Sequence, residues 1–453
     1  METRKVSLLA ISFASLVIHS SFHVADIKIS VGPNIRVGAQ KTRQAEPFIA
    51  AHPVDSQSLI ISVSEVVDGL KGQGLLSRSY VSNDGGQTWE STELPGQHEA
   101  LVNGHVQTEL DNWILIAPNG EAYYTDLPLT SKNSAPIYVF LSSDKGHTWS
   151  GPVEIADRNY DQPRTTASLR DGKMRIYIAA ASGGAVVLSS EDGGHSFQIG
   201  ARIQPDNLGH QAMNPVSLVD GSLMLPYFDF PVGEQHPLNF SRLYVARSED
   251  SGNTFGVPRF VADIARPYPG GAYFATDVSP GKFRGNVYGT WEEGDFGPRL
   301  VHRDDQLFRE ESGNRRVVVV ARSTDNGRNW TVPRVLRAEG RGAAHFATLA
   351  VSQQGVLGVL WIQDEQYESD ARCFRVWFAA SVDGGDSFSL PTTVSDKISC
   401  SDPNLNPEPY FKTRLKGGDY IGLAAAADGS FHAVWIDARD GAFRLYTARI
   451  EVR

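Results

Sequence analysis

The sequence predicts an all-β chain folded as a β-propeller, a closed ring of four-stranded antiparallel blades. Two repeated features lead to this prediction. One octapeptide, S-x-D-x-G-x-[ST]-[WF], recurs from one end of the chain to the other. Between its copies, a short apolar segment, a glycine turn and a second apolar segment recur at intervals of roughly 50 to 75 residues. Repeats of this length, built from short strands and tight turns, are typical of propeller blades.

Each octapeptide is predicted to clasp a turn between two strands. Its short Ser and Asp side chains can hydrogen-bond the backbone of their own turn, and its Gly can adopt the positive φ that such a turn needs. One copy departs from the pattern, with Asn329 where the others have Ser or Thr. We expect the octapeptides to be structural and not catalytic. The six copies begin at Ser82, Ser142, Ser190, Ser248, Ser323 and Ser381.

These octapeptides resemble the Asp box, or bacterial neuraminidase repeat, of the sialidase superfamily. The resemblance covers most of the chain and implies a β-propeller. It does not imply sialidase activity, because Asp boxes also occur in propellers that are not sialidases.

Composition and the N-terminal segment indicate an exported protein. The formal net charge of -10 argues against nucleic acid as the main partner. In residues 1–25, Arg4 and Lys5 precede an apolar stretch, and this arrangement resembles a secretory signal with Ala25 as a candidate cleavage position. An uncleaved membrane anchor is the alternative. We expect residues 26–453 to form a secreted or periplasmic monomer with no stable membrane insertion. Export would permit a disulfide between Cys373 and Cys400, and two free thiols are the alternative.

The order of the repeats favours seven blades over the six of the sialidases. Six glycine turns can be aligned, and His52–Asp55 is the equivalent turn of the first unit. The seventh unit ends one strand short, whereas Asn34–Val37 is a spare strand before the first unit. Lending this strand to the last blade would close the ring and pair both exposed edges. The aligned turns are at Gly120, Gly172, Gly221, Gly285, Gly355 and Gly429.

This topology predicts which face of the ring carries chemistry. If the first strand of each blade runs down from the top, the glycine turns and octapeptides lie at the bottom. Loops from different blades then converge at the top near the axis, where we expect any site. Glu46 and Asp111 align with each other there. The candidate acids are Glu46, Asp111 and Asp161; the candidate nucleophile is Tyr420; the candidate substrate-binding residues are Arg43, Arg164, Glu293, Arg414 and Asp419.

Several of these features have structural alternatives. Trp291, Trp361 and Trp435 recur at the same position of successive blades. Such repetition favours packing between blades over a surface that binds sugar. A carboxylate at a strand end can equally cap the loop backbone. No Cys/His cluster has the spacing of a metal site, so we expect no cofactor and no metal in the chemistry.

Two hypotheses for function remain open. Sialidases of this superfamily bind the substrate carboxylate with three arginines, use a Tyr activated by a Glu as nucleophile, and use an Asp as acid/base. Their first arginine stands in an F/Y-R-I-P motif, which this chain lacks, and this puts sialic acid in doubt. The segment Thr42–Ile49 is instead similar to the E-P-x-I-A opening of exported proteins described as sialidase-like, as are Gly418–Leu423 and Trp435–Asp440.

The first hypothesis is therefore a sialidase-like glycoside hydrolase, of the exo-α-sialidase type, that acts on a glycan through two top-face carboxylates. The second is a propeller that binds glycan or protein without turnover. Three arginines converging over the axis would favour sialidase chemistry.

Overall fold

Seven antiparallel sheets follow one another along the chain and form the blades of a β-propeller. The computed structural model describes residues 27–38, 41–67, 74–130, 134–170, 172–203, 208–231, 241–264, 271–294, 298–303, 306–311, 316–338, 342–365 and 372–453. The predicted fold class and the count of seven blades are both confirmed. The predicted signal segment, residues 1–25, lies outside the described residues.

The first four blades follow two closing strands in chain order. The closing strands are β1 (Ile29–Val31) and β2 (Ile35–Val37); blade one is β3 (Gln44–Ala51), β4 (Leu59–Val66), β5 (Leu75–Ser82) and β6 (Glu90–Thr92). Helix α1 (Gln97–Val102) leads to blade two, β7 (Val106–Ile116), β8 (Ala122–Thr130), β9 (Ile137–Ser142) and β10 (Ser150–Ile155). Blade three is β11 (Asp161–Arg170), β12 (Lys173–Ala181), β13 (Ala185–Ser190) and β14 (Gln198–Ile203). Blade four is β15 (Leu208–Ala212), β16 (Val216–Ser217), β17 (Leu223–Pro231), β18 (Ser241–Ser248) and β19 (Arg259–Ile264).

Blade five is β20 (Tyr273–Thr276), β21 (Val287–Glu293), β24 (Val317–Ser323) and β25 (Arg334–Leu336), with the hairpin β22 (Pro298–Arg303) and β23 (Gln306–Glu311) inserted between its second and third strands. Blade six is β26 (Ala344–Val351), β27 (Leu357–Asp364), β28 (Cys373–Ser381), β29 (Thr392–Thr393) and β30 (Ser399–Cys400). Helix α2 (Pro409–Thr413) leads to blade seven, β31 (Gly422–Ala425), β32 (Phe431–Asp437) and β33 (Arg444–Val452). The sequence did not predict the hairpin or the two short helices.

The N-terminal segment closes the ring as predicted. In antiparallel register with β33, β2 pairs Ile35–Val37 with Leu445–Thr447. A second strand, β1, extends this pairing to Ile450–Val452 and was not foreseen. Blade seven thus obtains its outer strand from the other end of the described chain, and β33 is not left as an exposed edge.

The octapeptides form the clasp that their composition predicts. In the second copy, Ser142 Oγ donates a hydrogen bond to Asp144 Oδ1 at 2.7 Å, and Asp144 accepts from the backbone N and the hydroxyl of Thr148 at 2.9 and 2.6 Å. Gly146 has a φ of 85°. In the fifth copy, Asn329 Nδ2 donates to Asp325 Oδ2 at 2.6 Å and so replaces the missing hydroxyl. The single departure from the pattern therefore preserves the clasp.

Hydrophobic cores lie between neighbouring blades. Trp291, Trp361 and Trp435 are fully buried, and each indole N–H donates to a side chain two residues further along its strand, namely Glu293, Gln363 and Asp437. These tryptophans pack blade against blade.

Two further observations bear on the sequence predictions. Cys373 and Cys400 face each other across β28 and β30 and form the predicted disulfide. Among the described residues, no helix is long and apolar enough to cross a membrane.

Candidate active site

The first strands of blades one, two, three and six share a local distortion near the top of the ring. Each contains a β-bulge, seen as a register shift between Ala45/Phe48, Leu110/Trp113, Asp161/Arg164 and His345/Thr348. The first bulged residue of each has a positive φ, which is uncommon for residues other than Gly; these residues are Glu46 (54°), Asp111 (53°), Gln162 (48°) and Phe346 (57°). The alignment of Glu46 with Asp111 is thus confirmed, and the repeat equivalent in blade three is Gln162, not Asp161. Strained backbone that recurs at one place is typical of functional sites.

Glu46 is the most constrained acid of this region. Its carboxylate accepts a hydrogen bond from the Tyr410 hydroxyl at 2.6 Å and another from the backbone N of Asp111 at 2.9 Å. Its own backbone N donates to the carbonyl of Gly417 at 3.1 Å. The side chain is buried, and burial together with the nearby charge of Asp419 raises the pKa of Glu46 to about 7. Near neutral pH, Glu46 can therefore both accept and release a proton.

Two further carboxylates, Asp111 and Asp419, interact with Glu46, and a third, Asp161, interacts with both of them. Together we call the four the acid cluster: Glu46, Asp111, Asp161 and Asp419. Burial, followed by the charges of the other three acids, raises the pKa of Asp111 well above its ordinary value. The pKa of Asp419 is raised mainly by burial, although Arg414 Nε donates to its Oδ2 at 3.0 Å and opposes the shift. Asp161 is the most exposed of the four. Glu46, Asp111 and Asp419 each have a raised pKa and repel one another, so they resist being ionised together.

The connection between blades six and seven brings several of these groups together, and we call residues 408–419 the blade-seven loop. Helix α2 carries Tyr410, whose ring lies 4.4 Å from the guanidinium carbon of Arg414. At one end of the loop, Glu408 pairs with Arg43 at 2.6 Å. Near the other end, Lys416 Nζ lies 3.0 Å from the buried carboxylate of Asp364. These two ion pairs fix the loop against blades one and six.

Glycine is required where this loop meets Glu46. A Cβ on Gly418 would lie 2.8 Å from the backbone N of Glu46, and Gly418 has a φ of 145°. A larger residue would push the loop, and with it Tyr410, away from Glu46.

Aromatic rings from four blades form the floor beneath the acid cluster. Phe48 stacks on Trp113 at a centroid distance of 3.6 Å, and Trp113 lies 6.1 Å from Tyr273 and 6.5 Å from Tyr420. The guanidinium of Arg164 lies over the Trp113 and Tyr273 rings, at 5.7 and 5.0 Å from their centroids. Because these residues come from blades one, two, three, five and seven, the floor spans the ring axis.

Tyr420, the nucleophile proposed from the sequence, belongs to this floor. Its hydroxyl donates to the backbone carbonyl of Asn112 at 2.9 Å, and burial raises its pKa well above 10. The tyrosine that contacts a carboxylate of the acid cluster is Tyr410, which the sequence reasoning missed. Its pKa is also raised, by burial and by the charges of Glu46 and Asp419. The only available signal was the segment Pro409-Tyr410-Phe411 in a long connection at the top.

The remaining predicted residues differ in whether they interact with the acid cluster. Asp161 and Arg164 interact electrostatically with Asp111, and Arg414 and Asp419 interact with Glu46. Arg43 is engaged by Glu408 at the side of the blade-seven loop. Glu293 accepts the indole N–H of Trp291 at 3.1 Å, and burial raises its pKa.

The charges of the site do not resemble those of an anion-binding site. Arg414 is paired with Asp419 and Arg43 with Glu408, while Arg164 lies among aromatic rings and donates to Gln162 at 3.2 Å. Carboxylates therefore outnumber arginines in the site. Within the described part of the chain, no group of three or more His, Cys, Asp and Glu side chains is arranged to hold a metal ion.

Comparisons with known proteins give only low similarity. No protein-family model and no curated protein matches the chain significantly. Among solved structures, a protein of unknown function from Dyadobacter fermentans matches with a TM-score of 0.46 and 15% identity, covering 94% of this chain and 99% of that one. The NanB sialidase of Streptococcus pneumoniae gives 0.48 and 12%, covering 74% and 67% of the two chains. An α-L-arabinofuranosidase of Fusarium graminearum gives 0.47 and 12%, covering 73% and 92%. These values are too low to assign a function, and the fold rests on the seven sheets described above.

Proposed function

We propose that this chain is a glycoside hydrolase whose reaction is carried out by Tyr410, Glu46 and Asp111. The observation that carries the proposal is the 2.6 Å hydrogen bond from the Tyr410 hydroxyl to Glu46, beside a second acid, Asp111, whose pKa is raised. A tyrosine bonded to a glutamate with an aspartate nearby is also the set of groups that sialidases use. Here the set lies above the buried aromatic floor, which holds these groups in place across the ring axis.

Each group has a distinct role in the proposed reaction. Tyr410 attacks the anomeric carbon while Glu46 accepts the phenolic proton. Asp111, held protonated by its neighbours, donates its proton to the departing glycosidic oxygen, so that an alcohol leaves and a glycosyl–tyrosine bond forms. In the second step water displaces Tyr410, giving one proton to the ionised Asp111 while Glu46 returns its own proton to the phenolate. Both carboxyl groups thereby regain their starting states.

The charge of the site favours a neutral glycoside over a sialoside. The carboxylates of the site would repel an anionic sugar. Arg414 and Arg43 already pair with carboxylates of the protein, so they would contribute little to its binding. This agrees with the missing arginine motif. Arg414 and Arg164 then act by holding Asp419, Tyr410 and the floor in place and not by binding a substrate carboxylate.

The test compares single variants on a panel of aryl glycosides of neutral sugars and one aryl sialoside. Tyr410→Phe, Glu46→Gln and Asp111→Asn should each lower turnover by about 10²–10⁴-fold, the usual contribution of such groups. Tyr420→Phe is the matched control, because it removes a hydroxyl that is bonded to the backbone, and it should keep most of the activity. Retained activity in Tyr410→Phe together with loss in Tyr420→Phe would restore Tyr420 as the nucleophile. Efficient release of sialic acid, abolished by Arg43→Ala, would contradict the neutral substrate class.

The alternative is a propeller that binds glycan or protein without turnover. One observation favours it, namely the raised pKa of Tyr410, which makes the phenol a weaker nucleophile at rest. A glycan that binds and is recovered intact after prolonged incubation, with binding weakened by Trp113→Ala, would support this alternative.

We also propose export of the mature chain. Cleavage after Ala25 would leave β1 and β2 intact, so the closing strands would remain available to blade seven. Mass spectrometry of the N-terminus of the protein recovered outside the cytoplasm tests this directly.

A further inference from the structure

A second pair of acids is buried between blades one and two, below helix α1 and separate from the acid cluster. Glu109 lies on β7 and Asp126 on β8, and both are fully buried. The two carboxylates meet at Ser77, whose backbone N donates to Glu109 Oε2 at 2.6 Å and whose hydroxyl donates to Asp126 Oδ1 at 2.7 Å. Gln97 of α1 donates its amide N–H to Asp126 Oδ2 at 2.6 Å. A serine and an amide thus hold two acids together in the protein interior.

The hydrogen bonding around this pair is incomplete. Among the described residues, the buried atoms Glu109 Oε1 and Gln97 Oε1 have no hydrogen-bond partner. A buried oxygen without a donor costs roughly 1–3 kcal/mol, and a second nearby carboxylate adds repulsion. The charge of Arg78 acts on Glu109, but the Arg78 guanidinium forms its ion pairs with Glu65 and Glu93. Within the described part of the chain, neither Glu109 nor Asp126 therefore forms an ion pair.

We propose that this buried acid pair binds one hard divalent cation, of the calcium class, through oxygens of Glu109, Asp126 and Gln97. Every available ligand atom is an oxygen, and two carboxylates would match the charge of a divalent ion. Calcium accepts irregular sets of carboxylate and amide oxygens completed by water, whereas magnesium demands octahedral geometry and sheds water reluctantly. Gln97 would present its oxygen after rotation of the amide. The sequence could not show such a site, because its ligands come from α1, β7 and β8 and include no Cys or His.

The cation would have a structural role next to the proposed catalytic groups. Glu109 stands two residues before Asp111 on the same strand, ahead of the bulge, and Asn112 Nδ2 bonds Ser64, whose hydroxyl in turn donates to the Glu109 carbonyl. Binding would tie α1 to β7 and β8 and fix the segment that carries Asp111. The inference does not depend on the proposed function, since it concerns binding and stability.

The competing explanation is that the two acids share a proton. Burial raises the pKa of Asp126 to about 7 and that of Glu109 well above its ordinary value, and a proton would also reduce the repulsion. The two explanations differ in their response to added metal.

The experiment uses the intact protein after treatment with EDTA and exchange into metal-free buffer. Titration calorimetry with CaCl₂ at pH 8 should show one site per chain, and saturating Ca²⁺ should raise the melting temperature by about 3–5 °C at 100 times Kd. MgCl₂ should give a smaller shift. Glu109→Gln should abolish the calorimetric signal and the shift. Glu292→Gln is the matched control, because it neutralises another buried acid whose pKa is raised to about 7, and it should leave both unchanged.

Two results would overturn the proposal. One is absence of Ca²⁺ binding to the parent at millimolar concentration. In that case Glu109→Gln should have a higher melting temperature than the parent both with and without Ca²⁺, as expected for a pair of acids that shares a proton. The other is unchanged Ca²⁺ affinity in Glu109→Gln, which would place the ion elsewhere. If Glu109→Gln does not fold, Gln97→Ala should weaken Ca²⁺ binding several-fold, and unchanged binding in that variant would equally refute the site.

Discussion

Closure of the ring by the N-terminal segment can be tested by removing residues 26–39. The removed side chains Ile27, Ile29 and Val31 are partly buried against blade seven, and Val37 is fully buried. Their burial contributes roughly 4–7 kcal/mol, part of which is offset by the entropy of ordering the segment. A net loss of about 3–5 kcal/mol would be a large share of the stability of a typical domain. We expect the melting temperature to fall by about 3–6 °C.

The truncation should also change association. Without β1 and β2, the backbone groups of β33 form an open edge that can pair with another chain. Size-exclusion chromatography should then show oligomers, and a synthetic peptide of residues 27–38, added in excess, should restore both the monomer and the melting temperature. Ser30→Ala in the full chain is the matched control, because Ser30 is exposed on the closing strand, and it should melt like the parent. A truncated protein that melts like the parent and remains monomeric would show that the segment does not stabilise the ring.

Two further predictions concern the clasp and the acid cluster. Asp144→Ala should lower the free energy of unfolding by about 1 kcal/mol, measured by calorimetry, a modest loss because the carboxylate is exposed. The activity of the folded fraction should not change, and a large loss of turnover would place the clasp in the site. Because the pKa of Glu46 is raised from 4.5 to about 7 in the folded protein, its ionisation lowers stability as pH rises through that interval. At pH 8, the free energy of unfolding of Glu46→Gln should therefore exceed that of the parent by up to about 3 kcal/mol, whereas near pH 4.5 the two proteins should be equally stable. Chemical denaturation at both pH values measures this, and the same difference at both would contradict it.

The repeat was readable from the sequence because propeller blades obey local rules. An octapeptide clasp, a glycine turn and alternating apolar residues are each decided within about ten residues of chain, so the seven units, their turns and the missing strand of the last unit could be inferred. Asn329 shows how local these rules are, since its amide performs the task of the hydroxyl it replaces. Even the closure by Asn34–Val37 followed from counting strands.

The site depended on contacts between distant parts of the chain. The hydrogen bond between Tyr410 and Glu46 joins residues 364 positions apart, and the two ion pairs that anchor the blade-seven loop have no sequence signature. Tyr420 looked like the available tyrosine because it opens a strand at the top, yet the tertiary packing directs its hydroxyl to a backbone carbonyl in the aromatic floor. The sequence by itself determined the blades and the face on which acids gather. Only the tertiary structure decided which acid meets which tyrosine and which acids are buried deeply enough to retain protons, because burial and long-range proximity are properties of the closed ring and not of any one repeat.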